Sequence, residues 1–181
     1  MKSISSLVSL GLFGAVAARC IARDTLPGCG EVNVFYTGLP GFHKYVREQG
    51  FNTTLVDKAI RASADAMVQA GYNVKIVLAG PEQDQDEWAS HIDEDITWDI
   101  TGIGNGMRSA SIPEVITKFE DNLITFKEKV PEAPTVFNYN ADSFLWSIQR
   151  RAPLASDCAD SPGTLYDYIE LCQEACEEPE E

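Results

Sequence analysis

The segment 96–140 reads as one βαβ unit, and no other stretch of the chain constrains the fold as strongly. It runs ITWDITGIGNGMRS, then SIPEVITKFEDNLITFKEKVPEAP, then TVFNYN. That is a β-branched run, a glycine-rich loop ending in an arginine, an amphipathic helix and a second short apolar run. Parallel strands need a crossover of this length, usually a helix. The unit therefore sets the fold class and singles out the loop Gly104-Asn105-Gly106-Met107-Arg108. It does not set a reaction.

The same alternation extends in both directions. A first strand is expected over 31–37, closing at Gly38. Thr53 or Thr54 caps the next helix, whose apolar face is Leu55, Ala59, Ala62, Ala66 and Ala70; Gly71 stops it. A second strand follows over 73–79, then a short acidic surface helix within 82–95, then the third strand over 96–103. Ser111 to Glu114 has the form of a capping box, with Pro113 in the first turn. The fourth strand is expected over 135–139 and a last core helix over 144–151. Strands separated by helices call for a parallel sheet covered on both faces. The expected architecture is α/β, a small three-layer sandwich with a four-stranded parallel sheet of order 2-1-3-4, flavodoxin-like or Rossmann-like. That order reverses between strands 1 and 3. Ligands in such sheets bind at the carboxyl ends beside the reversal.

Composition and cysteine placement bear on address and partners. The 181 residues are 44% hydrophobic, enough for one domain with a proper core. The net charge of −14 argues against a nucleic-acid partner, which needs clustered Lys and Arg. Residues 157–181 hold nine acids and no Lys or Arg, which reads as a solvated tail. Lys2 followed by the apolar run 4–18 and small residues at Val16, Ala17 and Ala18 reads as a secretory leader cleaved before Arg19. The run is too short to span a bilayer. All five cysteines lie near the ends: Cys20 and Cys29 before the core, Cys158, Cys172 and Cys176 after it. Without close CxxC pairs, disulfides tethering the termini are the simpler reading, and a metal site is not expected. Asn52-Thr53-Thr54 is an N-glycosylation sequon and fits a secretory route. The chain thus divides into a leader (1–18), a Cys-containing segment (19–30), the α/β domain (31–151) and an acidic Cys-containing tail (152–181). In the tail, Leu165, Ile169, Cys172 and Cys176 fall on one stripe of an expected helix. Within a regular helix Cys172 and Cys176 would not bridge each other.

The block Ile103 to Arg108, with Phe119-Glu120, Asn122, Pro131 and Phe137-Asn138, resembles a family of small conserved α/β proteins of unknown function, known mainly from bacterial genomes. Its members carry an IGxGxR loop, a helix with FE and a following N, and a strand ending in FN. The resemblance covers about residues 96–151. It implies the fold and brings no activity.

The candidate site follows from the strand ends. Gly104 and Gly106 let backbone N–H groups turn toward a ligand, and Arg108 offers a fork for carboxylate or phosphate. The alternative is a tight turn with Arg108 paired to a carboxylate such as Glu120. His43 stands in the opposite loop as a candidate acid or base, and Asn138 ends the fourth strand. The spacing is GxGxG after the third strand, which is a poor dinucleotide fingerprint, and no cofactor is implied. Three readings stay open. One is a secreted protein binding a small anionic or polar molecule at the strand ends. Another is an enzyme in the same crevice, with Arg108 orienting substrate and His43 moving a proton. The third is a protein-interaction factor acting through its disulfide-tied tail.

Overall fold

A computed structural model describes residues 25–172 and 174–176. The expected leader and Cys20 lie outside the described residues. Five strands form one parallel sheet: β1 (Asn33–Gly38), β2 (Asn73–Ala79), β3 (Ile100–Ile103), β4 (Thr135–Phe137) and β5 (Leu165–Leu171). Their order is β4-β3-β1-β2-β5. The expectation of four strands in the order 2-1-3-4 is corrected to five: β5 pairs with the outer side of β2. Val34 lies between Val74 of β2 and Ile100 of β3 in register. β1 is therefore central, and β1 and β3 are neighbours.

The helices are α1 (Lys44–Glu48), α2 (Thr53–Gln69), α3 (Gln85–Ser90), α4 (Asn105–Arg108), α5 (Pro113–Lys129) and α6 (Phe144–Gln149). Successive strand residues point to opposite faces. Val34, Tyr36, Ile76 and Leu78 pack against Ile60, Met67, Phe144 and Ile148 of α2 and α6. Phe35, Val77 and Ile103 pack against Trp88, Met107 and Phe126 of α3, α4 and α5. Phe35 meets Trp88, Trp98 and Phe126 edge-on at 5.4–5.9 Å, the arrangement aromatic rings prefer. Tyr36 stacks on Phe144 at 4.3 Å. Gly102, directly beside Tyr36 in β3, leaves room for that ring, which a Cβ would strike.

Several local expectations need correction. The tail segment 165–171 is a strand, not a helix. Leu165 and Ile169, four apart, suit a period of two as well as a helical one. Tyr166, Tyr168 and Ile169 are also good strand formers. Thr164 N–H donates to Asn73 Oδ1 and Val74 N–H to the Thr164 carbonyl, which docks the strand against β2. With the helix gone, Cys172 and Cys176 bridge each other. Cys29 and Cys158 form the second disulfide, joining the segment before β1 to the tail. Asn52, not a threonine, caps α2, accepting the Leu55 N–H at 2.9 Å. Ser111 makes no capping bond; Ile112 stands at the start of α5. β3 begins at Ile100, later than expected; ahead of it Asn33 N–H donates to Asp99 Oδ2 and Asn33 Nδ2 to the Thr97 carbonyl. No helix among the described residues is long and apolar enough to cross a membrane.

Candidate functional site

β1 and β3 end in facing glycines. Gly104 N–H donates to the Thr37 carbonyl at 2.8 Å, and a Cβ on Gly104 would touch the Gly38 Cα at 3.5 Å. The chain leaves β1 toward α1 and leaves β3 toward α4, so a gap opens above the two strand ends. A cleft of about 310 Å³ occupies it. Its floor is Gly38, Leu78 and Gly104; its apolar walls are Val46, Val56, Ile60 and Phe144. Phe51 and Tyr139 form the mouth, 46% and 60% exposed. The polar residues of the lining are Gln49, Asn105, Asn138 and Asn140, with neutral side-chain amides, and Tyr139. Among the described residues, no Asp, Glu, Lys, Arg or His lines it. This is the crevice at the strand-order reversal, the position where open α/β sheets hold ligands.

Gly104, Gly106 and Asn138 are brought together in that lining. Gly104 is the residue before α4, and Gly106 lies inside this single turn of helix. A Cβ at Gly106 would meet only open space. Asn138 follows β4 and is 1% exposed. Its Nδ2 donates to the Asn140 carbonyl at 2.6 Å, while its Oδ1 is buried without a hydrogen-bond partner.

Arg108 is exposed and does not line the cleft. One of its terminal nitrogens donates to Asn105 Oδ1 at 2.7 Å and to the Asn138 carbonyl at 3.3 Å. It braces the loop after β3 against the loop after β4. Glu120 is not its partner in these bonds.

His43 is fully buried and also stands outside the cleft lining. Its Nδ1 accepts the Tyr45 N–H at 3.1 Å, capping α1. The proton therefore sits on Nε2, which donates to Glu82 Oε2 at 2.9 Å. Gly80 lies against the ring so closely that a Cβ would collide with Nε2. The tail closes over this region: Lys44 N–H donates to the Ala175 carbonyl at 2.8 Å, and the Cys176 backbone pairs with that of His43 in an isolated antiparallel β-bridge. Burial pushes the Glu82 carboxyl up, but the hydrogen bond from His43, with bonds from the Glu82 backbone and Gln83, outweighs it; the net shift is downward. His43 and Arg108 thus belong to separate networks.

A second hollow of about 620 Å³ lies between the β2–α3 turn and α5, rimmed by Glu82, Asp84, Glu114 and Asp121. Lys118 reaches into it, 4% exposed, and donates to the Gln83 carbonyl at 2.9 Å. Burial lowers its pKa, against the raising effect of Asp121, Glu82 and Asp84. This hollow is polar and acidic, whereas the cleft at the strand ends has the apolar lining and few placed polar groups typical of small-molecule sites. No cluster of three or more metal-ligating side chains occurs among the described residues.

Sequence reasoning found the two glycine loops and missed most of the walls. Val46 and Gln49 belong to the turn and short helix around α1, which carries no strong periodic signal. Phe51, Val56, Ile60 and Phe144 are apolar residues indistinguishable in sequence from core. Compared with protein-family models, with curated proteins and with solved structures, the chain has no match.

Proposed function

We propose that this chain is a secreted binding protein whose cleft, at the carboxyl ends of β1 and β3, takes a small, uncharged and largely apolar molecule. The observation that carries this is the lining. Apolar side chains form the walls, four neutral amides and the Tyr139 hydroxyl supply the polar side chains, and no Asp, Glu, Lys, Arg or His among the described residues lines the space. Burying an unpaired charge there would carry a heavy desolvation cost, so the polar form of the ligand fits better than the anionic one. Among the described residues, the one titratable side chain of the lining is the Tyr139 phenol, exposed at the mouth. His43 donates to Glu82, and Arg108 braces backbone and amide. Secretion is supported by the leader-like run 4–18, by two disulfides, and by a sequon at an exposed Asn52. The resemblance to the small α/β family supports the fold and is silent on the ligand.

Titration of the isotope-labelled mature protein with neutral aromatic fragments such as naphthalene tests the reading. Gly38, Gly104 and Gly106 backbone amides should shift together and saturably. Shifts confined to other surfaces, or none, would overturn it.

A further inference from the structure

The cleft's amides are oriented, and their orientation leaves acceptors behind. Gln49 Nε2 donates to two carbonyls, Tyr45 at 3.0 Å and Gly106 at 3.2 Å. A flipped amide would set its oxygen against both, so the assignment is firm and Oε1 remains uncommitted. Asn138 repeats the arrangement. Its Nδ2 meets the Asn140 carbonyl at 2.6 Å, which leaves Oδ1 as the acceptor. Among the described residues, five buried side-chain polar atoms lack a partner, and Asn138 Oδ1 alone belongs to a residue of the cleft. A buried acceptor left unpaired is destabilising, and native structures hold few of them.

We infer that the cleft selects a neutral molecule presenting an N–H or O–H donor from an aromatic-sized apolar frame, and that Gln49 Oε1 receives that donor, with Asn138 Oδ1, which is closed to solvent, as a second acceptor that a ligand reaches by a side-chain adjustment. The class is N–H heteroaromatics, phenols and primary amides. This rests on the cleft being a small-molecule site, and adds which hydrogen-bonding sense the ligand must have. Phe51, Tyr139 and Phe144 supply faces against which a flat ring packs.

Matched pairs separate the donor from the frame. The whole mature protein is titrated with indole and 1-methylindole, phenol and anisole, and benzamide and N,N-dimethylbenzamide. In each pair the second member is larger and more apolar but has lost its donor. The donor-bearing member should bind roughly tenfold tighter in every pair. In Gln49→Met, a change at a half-buried position, the preference should shrink, with circular dichroism reporting the fold. Equal or reversed affinities within the pairs overturn the donor inference and leave the cleft reading standing. A full preference retained in both Gln49→Met and Asn138→Ala also overturns it. If none of the six compounds moves the Gly104 and Gly106 amides, both readings fall together.

Discussion

His43 donates its Nε2 proton to Glu82 across 2.9 Å because its other ring nitrogen is occupied by the Tyr45 amide. The pair ties α1 to the turn after β2, and α1 carries Val46 into the cleft wall. Its effect should depend on pH with a definite sign. The folded-state pKa of Glu82 lies below the ordinary carboxyl value of 4.5. The stabilisation is therefore present above that value and is lost as pH falls through the lowered folded pKa. Glu82→Gln should melt lower than wild type at pH 7, and the two melting curves should converge as the pH drops toward 3. A gap that stays constant over that range would show that Glu82 acts through packing alone.

Arg108 braces the loop after β3 against the loop after β4. Removing it loses hydrogen bonds to Asn105 and to the Asn138 carbonyl at an exposed position. Arg108→Ala should lower unfolding free energy by about 1 kcal/mol in urea titrations. It should weaken binding of neutral ligands only modestly, through the placement of Asn138. Abolished binding at unchanged stability would instead assign Arg108 to the ligand.

The two disulfides should differ sharply in worth. Cys29–Cys158 closes a sequence separation of 129, against 4 for Cys172–Cys176. The chain-entropy relation puts the long loop at about 4–5 kcal/mol as a ceiling, and the short one well below it. A Cys29→Ser, Cys158→Ser double variant should lose roughly 2–5 kcal/mol of stability. A Cys172→Ser, Cys176→Ser variant should loosen mainly β5 and the contact at Lys44, seen as faster amide exchange there. Comparable global losses in the two variants would contradict this ordering.

How much of this was readable from the residues depends on where the determining contacts lie. β1 and β2 are apolar runs bounded by glycines, and Gly38 and Gly104 sit at strand ends, so the central strands and the crevice between them are local signals. The fifth strand is not local. Leu165 and Ile169 fit two periods, and the choice is made by Asn73 and Val74, some ninety residues earlier in the chain. His43 is legible as a loop histidine but its role is set by Glu82, 39 residues away, and by the Tyr45 amide. The cleft walls escaped because an apolar side chain facing a cleft and one facing the core are the same chemical type. What distinguishes Phe51 and Tyr139 is exposure, which only the fold assigns.

Asn52 joins a cap and a sequon in one side chain, and the two can be separated. Its Oδ1 accepts the Leu55 N–H, which satisfies one of the free donors at the start of α2. Its Nδ2, the atom a glycan would use, is not needed for that cap, and the residue is exposed beside Phe51 at the cleft mouth. Secreted from eukaryotic cells, the protein should carry a glycan there that a peptide N-glycosidase removes with the corresponding mass loss. Thr54→Ala should abolish the glycan while keeping the cap, and so leave stability nearly unchanged. Asn52→Ala should lose both and cost about 1 kcal/mol. Thr54→Ala protein of unaltered mass would sink the modification. An Asn52→Ala variant no less stable than Thr54→Ala would show that the cap contributes nothing to α2.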